Sequence, residues 1–456
     1  MLKIKLSVIL LLILNFNSYD VKGAENRYQD NDKSDSLHSK NNYLLPAAET
    51  FGLNLFVWAS LRYIMQADYA RIGTRTMSNN LKTGFVWDTD DFWTNQFSHP
   101  YHGGLYFTLA RSSGLNFWNS LVYPVGGSLM WELFMENEPP SINDFIITPT
   151  SGIILGEITY RISSLIINDS KTGWARTWRE IAATAICPMH GFNRHVLGIK
   201  QNPHAPPSEH PFSATLSIGA NGVFFDRKLS KREPHMFIGY GMEYGDLFSV
   251  GINNKPFDYF ITSTDIILSR NNLIVEIFGS GMLWSKNLNF AGSDDGILGV
   301  FTDFDYLHNA VYKLSATSIS GKMINNYKLS GLFDLSTVAS LTGIILGGTN
   351  SLHTEEELGR DYNLGPGLNT EIETGVTVAD IGSVYLKWQH YWLHTISGAD
   401  GDEFLMFITL SASLNITSHV SFNIEYLQYN RWAKYIDYPT KVMNNFAIRS
   451  FIGISL

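Results

Sequence analysis

"FLMFITLSASLNIT", residues 404–417, decides how the chain is read. Phe404, Met406, Ile408, Leu410, Ala412, Leu414 and Ile416 are apolar, and Thr409, Ser411, Ser413, Asn415 and Thr417 alternate with them. Successive side chains of a strand point to opposite faces, so one face of this segment is oily and the other wet. The same period runs on through Val420, Phe422, Ile424 and Tyr426, and again through Phe446, Ile448, Ile452 and Ile454. Apolar-out, polar-in strands of about ten residues, separated by turns, are the pattern of a transmembrane antiparallel β-barrel.

From residue 211 to 456 the pattern fits about twelve strands, an even number as such barrels need. Turn-forming stretches such as "SRNN" from 269, "INN" from 324 and "ADIG" from 379 separate them. The predicted inward face carries Asp303, Asp305, Glu371, Glu373, Lys387, Glu425 and Arg449, and the outward face carries Ile408, Leu410, Phe422, Ile424 and Ile452.

The chain begins with Lys3 and Lys5 and then an apolar run from Leu6 to Leu14, too short to span a bilayer. Residues 1–23 read as a signal peptide, with Val21 and Gly23 small enough to precede a cut before Ala24. Residues 24–45 read as a disordered polar arm. A single cysteine, Cys187, excludes an intramolecular disulfide, and a net charge of −9 gives no footprint for nucleic acid. Aromatic residues make up 13% of the chain, as interfacial girdles require. The outer membrane of a Gram-negative cell is the expected location, with its lipids and a larger envelope assembly as partners.

Residues 46–200 read as a helical domain that plugs the lumen or sits at the periplasmic mouth. Phe51, Leu55, Trp58, Leu61 and Met65 form one stripe of a helix over 48–70. Further helices are expected near 102–111, over 117–135 with Pro124 bending or breaking it, from Ser141 onward with Pro149 as a kink, and over 174–186 before Pro188. Glu157 and Arg161, four apart, can pair, and Gly152 and Gly156 permit a close helix contact.

Two stretches concentrate polar groups: "FSHPYHGGLYF" (97–107) and "WELFMENEPPSIND" (131–144). His99, His102, Glu136 and Asp144 are the candidate acid–base residues. The competing reading is structural. There Pro100 starts a helix, Gly103 and Gly104 let another element approach, and Arg111, Glu132, Glu138, Asn143, Asn193 and Arg194 form a buried polar network. Arg111 and Arg194 are then the expected partners of the carboxylates, and His190 and His195 fall on the surface or in turns. No His-Glu-x-x-His metal motif and no Gly-x-Ser-x-Gly elbow occurs, so neither a metal nor a cofactor is expected.

The string "HPYHGGLYF" followed by "FWNSLVYPVGGSLMWELFMENEPPSINDFIITPTSGIILGE" and "CPMHGFNR" resembles a bacterial outer-membrane family catalogued as a domain of unknown function, family number 3943. The resemblance covers about residues 90–200 and implies a signal peptide, this helical region and then a barrel. Cys187 and His190 depart from the family's pattern, which argues against a catalytic role for either. The expected function is an outer-membrane barrel in transport, ligand binding or envelope scaffolding. The alternative is an outer-membrane enzyme acting on lipid or glycolipid through the His/Glu/Asp group.

Overall fold

A computed structural model describes residues 43–198, 211–225, 232–248, 255–268, 273–309, 311, 313–351, 353–354 and 360–456. The expected signal peptide and nearly all of the expected arm lie outside these residues. Among them, twelve strands close into an antiparallel barrel, each paired with its sequence neighbours and β1 paired with β12. The strands are β1 (Phe212–Phe224), β2 (Arg232–Tyr244), β3 (Phe260–Leu268), β4 (Leu273–Asn287), β5 (Asp295–His308) and β6 (Lys313–Lys328). They continue as β7 (Phe333–Asn350), β8 (Tyr362–Val378), β9 (Gly382–His394), β10 (Gly401–Asn415), β11 (Val420–Tyr435) and β12 (Lys441–Ser455). The end where β1 starts and β12 finishes is called here the near end, and the opposite one the far end.

Closure leaves no unpaired edge, so every strand keeps its ladder in a medium that offers no hydrogen bonds. Alternation then sorts the side chains. Leu410, Ile424 and Ile452 are among the exposed apolar residues of the outer surface, whereas Asn423 and Arg449 are buried on the opposite face. The charges of the inner face find one another across the lumen. Arg449 of β12 donates to Asp265 of β3 (2.9 Å) and Glu276 of β4 (2.6 Å). Tyr391 of β9 reaches Asp305 of β5 at 3.2 Å, and Arg431 of β11 binds both Glu403 of β10 and Asn350 of β7. Lys322 joins Asp303 to Ser280, and Lys387 pairs with Glu371. These chords join strands up to four apart, so side chains fill the interior.

The helices are α1 (Leu44–Ala59, continued by wider turns over Ser60–Met65), α2 (Thr74–Thr83), α3 (His99–Ser112), α4 (Phe117–Ser120), α5 (Val122–Phe134), α6 (Ile142–Ile166), α7 (Gly173–Ile186) and α8 (Pro188–His195). Helix α1 begins at Leu44, so the last residues assigned to the arm are helical. Pro124 has its predicted effect: the segment breaks at Leu121 into α4 and α5. Pro149 does not divide α6, which runs 25 residues. Helix α2 and the short α8 were not anticipated, and Pro188 starts α8 as well as following α7.

The placement of the helices corrects the expectation of a plug or a mouth domain. They pack on the outside of the wall. Phe304 and Tyr306 alternate with the inward Asp303 and Asp305, and so point outward; both share one buried core with Phe92, Phe107, Ile147, Ile154 and Ile158 of the helical region. That core also takes in Leu346, Tyr362 and Leu364 toward the far end and Met242, Tyr244 and Phe260 at the near end. Helix α6 therefore crosses the wall obliquely. Ser151 bonds Thr317 on β6, a Cβ on Gly279 of β4 would lie 2.9 Å from Ile158, and Arg161 donates to the carbonyl of Pro256 (2.7 Å) between β2 and β3.

The stripe read on α1 also faces the other way. Phe51, Leu55 and Met65 are exposed, and the side buried against the bundle carries Pro46, Thr50 and Asn54. Asn54 earns burial by bonding: its amide donates to Gly127 O (3.1 Å) and its oxygen accepts from the Tyr106 hydroxyl.

Adjacent residues on β11 test the facing. Ile424→Lys puts a charge on the outward apolar face and should destabilise by about 2–4 kcal/mol at mid-depth. Asn423→Lys points inward and should assemble normally. Heat-modifiable migration on gels reads both; equal tolerance would mean the register is off by one residue.

Candidate functional site

Three glycine contacts set the site. Helices α3 and α6 run side by side in the same direction, and a Cβ on Gly103 would stand 1.8 Å from Thr148 O, while one on Gly152 would stand 2.4 Å from the Gly103 carbonyl carbon. Gly104 faces Gly156 in the same seam. With no side chains between them the two backbones touch, which brings their first turns together at the far end. Helix α5 returns antiparallel, with Gly127 against the Tyr106 ring. Its last turn meets the start of α6.

There His99 Nε2 lies 3.6 Å from Asp144 Oδ2. Ser141 caps α6 by accepting from the Asp144 N–H (3.1 Å), as its sequence position implies, and the Ser141 N–H donates to the Glu132 carboxylate at 2.8 Å. Ligand-type atoms of His99, Glu132 and Asp144 all lie within 4.8 Å of one another. Glu136 stands one turn on from Glu132, and burial, with the closeness of the two carboxyls, raises the pKa of Glu136. Asp88, absent from the sequence-derived candidates, accepts from Ser141 Oγ (2.6 Å), Asn143 (2.8 Å) and Asn95 (2.7 Å). Asn143 also donates to Asp144 at 3.0 Å. Asp88 could have been suspected from the acidic run "WDTDD", but a loop has no period to place it. The loop is tied to the barrel: Arg360 donates to the Asp88 carbonyl (2.6 Å) and the Tyr362 hydroxyl to the Asp90 carbonyl (3.0 Å).

The remaining candidates separate. His102 lies tilted against Tyr106 and edge-on to Trp131, with ring centroids 4.6 and 5.4 Å away, and its buried Nε2 has no hydrogen-bond partner among the described residues. Glu138 is exposed at the rim. The single polar network read from the sequence comes apart: Glu132 and Asn143 belong to the far-end cluster, and Arg111, Arg194 and Asn193 to three other networks. Arg111 pairs with Glu157 (2.7 Å), which also takes Arg161 (2.8 Å). Arg194 forks onto Asp169 and reaches Glu180. Asn193 donates to Ser112 (2.8 Å) and Ser113 (3.1 Å). Neither arginine reaches the carboxylates of the 131–144 stretch, because both sit toward the opposite end of α3 and α6. His190, expected on the surface, is buried beside Tyr160 and bonds Ser163 at 3.0 Å. His195 is exposed.

The far-end cluster therefore holds Asp88, Glu132, Glu136 and Asp144, with His99 the one basic side chain in contact with its carboxylates among the described residues. Carboxyl groups so close must share protons or take up a cation.

Residues 84–189 match the domain of unknown function DUF3943. The matched segment holds α3 to α7 and every residue of the cluster. Solved structures similar to the chain are barrels. The NanC porin is 8% identical, with 53% of this chain and 100% of that one covered at a TM-score of 0.29. An outer membrane channel from Pseudomonas putida F1 is 8% identical, covering 56% and 100% at 0.30. Outer membrane phospholipase A from Escherichia coli is 12% identical, covering 55% and 93% at 0.26. At these identities the likeness is one of fold alone. No curated protein matches the chain.

Glu157 is fully buried between two arginines. Glu157→Gln leaves Arg111 without its charge partner and Arg161 with only Asp258 at 3.4 Å, and should destabilise the folded protein by about 3–5 kcal/mol. Folded yield in the membrane fraction and thermal unfolding read this; unchanged values would show that the triad is not buried in the assembled protein.

Proposed function

We propose that this is a Gram-negative outer-membrane protein whose barrel is a closed anchor and whose working site is the His/carboxylate cluster of the helical domain. The observation that carries the reading is the contrast between the two polar assemblies. Most lumen charges are met by an opposite charge, Arg449 by Asp265 and Glu276 across the barrel and Asp303, Glu371 and Glu403 by a lysine or arginine of a neighbouring strand, which suits a sealed scaffold better than an aqueous channel. The far-end cluster has two carboxylates, Glu132 and Asp144, converging on His99, with Asp88 and Glu136 beside them and no lysine or arginine paired to any of the four among the described residues. Carboxyl groups crowded together in this way, buried beside a histidine, mark a candidate functional site.

The outer layer of the bundle supports a membrane setting for the helices as well. Phe56, Tyr63, Ile64, Trp118 and Val122 are exposed apolar residues on α1, α4 and α5. Leu44–Met65 is long and apolar enough to cross a bilayer. Outer-membrane lipids are thus the partners in immediate contact, and the site sits where the bundle meets the far rim. A lipid or glycolipid reaching the cluster along the bundle is the substrate class this placement favours, which makes the enzyme reading preferable to transport through the lumen.

Two measurements test it. The purified protein in planar bilayers should show no steady conductance; an open channel would return the function to the lumen. In cells, His99→Ala and Asp144→Asn should keep wild-type folded levels and heat-modifiability yet reproduce the phenotype of the deletion. Full complementation by both variants would remove the cluster from function.

A further inference from the structure

We infer that His99, Glu132 and Asp144 bind one divalent transition-metal ion of the zinc class. The inference rests on reading this cluster as the working site and names what the site holds. One imidazole and two carboxylates from three different helices present their donor atoms within 4.8 Å of one another. Modest side-chain rotation closes such a set around an ion with bonds of about 2.0–2.2 Å. Three protein ligands leave a position open for water or substrate, the arrangement of catalytic rather than structural zinc sites.

The surroundings fit a ligand set. Glu132 and Asp144 are 1% and 4% exposed, so solvent does little to offset their charge, and a dication supplies what no lysine or arginine among the described residues does. The neighbours orient them as partners of metal ligands do: Asn143 donates to Asp144, the Ser141 N–H to Glu132, and Asp88 gathers Ser141, Asn143 and Asn95 into one frame. His99 is the ligand with some exposure, 15% of its side chain, and marks the way in. Imidazole among the donors selects against magnesium and calcium, which take oxygen.

The test uses the full-length protein folded in detergent, stripped with chelator and dialysed against Zn2+. Wild type should retain about one ion per chain, with His99→Ala, Glu132→Gln and Asp144→Asn each losing it. Asn143→Ala, which removes a donor to a ligand and no ligand, should weaken binding about 10–100-fold. His190→Ala, in a different network, should bind as wild type does. X-ray absorption of the zinc-loaded wild type needs no variant and should show one imidazole nitrogen among oxygen neighbours. No stoichiometric zinc on folded wild type, retention by Asp144→Asn, sulfur or several imidazoles in the shell, or equal affinity for Mg2+ would each overturn the inference. If wild type binds no metal while His99→Ala still reproduces the deletion phenotype, the metal is lost and the working site stands. If metal binds but its loss leaves the phenotype untouched, the site binds metal without being the one the cell uses.

Discussion

Charge confined to a barrel interior must be paired there, and that constraint orders the rest of this molecule. Strand alternation puts Asp265, Glu276, Asp305, Glu371, Lys387, Glu403, Arg431 and Arg449 on one face of a closed sheet. An inward charge would be costly alone, so Lys387 takes Glu371 and Arg431 takes Glu403 from neighbouring strands, while Arg449 bridges to two strands on its far side. Once side chains fill the interior, no room remains for the helical domain. It has to find its apolar contact on the outer wall.

The outer wall is adapted to receive it. Beneath the helices the outward face turns from purely oily to small and polar: Ser315 donates to Gln96, Thr317 meets Ser151, and Gly348 lies against Phe92 and Gln96. Helices α3 and α6 then pack through glycines against each other, and that contact delivers His99, Glu132 and Asp144 to one point at the far rim. The Glu157 triad toward the middle of α6 and the Arg161 bonds at the near end hold the same helix lower down.

Much of this was legible in the sequence, and the failures have a physical pattern. The strands could be read because a period of two is local, and the Ser141 cap and the Glu157–Arg161 pair because they span only three or four residues. The side of the wall chosen by the helices could not be read, since Phe304 and Tyr306 look the same whether lipid or a helix covers them. Ser315 and Thr317 were the available signal: polar groups on an oily face need a partner. Helix α1 misled for the same reason, because an apolar stripe in a membrane protein can face lipid while Asn54 faces the core. His99, Glu132 and Asp144 stood out by residue type, but Asp88 comes from a loop, and the arginine partners were assigned by chemistry without knowing at which end of α3 and α6 they would lie.

The most direct test of the account is a disulfide that distinguishes the two faces of one strand. Thr317 points outward toward Ser151, and its neighbour Ser318 points into the lumen. With the buried native thiol removed by Cys187→Ser, the pair Ser151→Cys and Thr317→Cys should cross-link on mild oxidation of intact outer membranes. The account predicts that bond and none between Ser151→Cys and Ser318→Cys. Cross-linking to position 318 in preference to 317 would put α6 inside the barrel and contradict it.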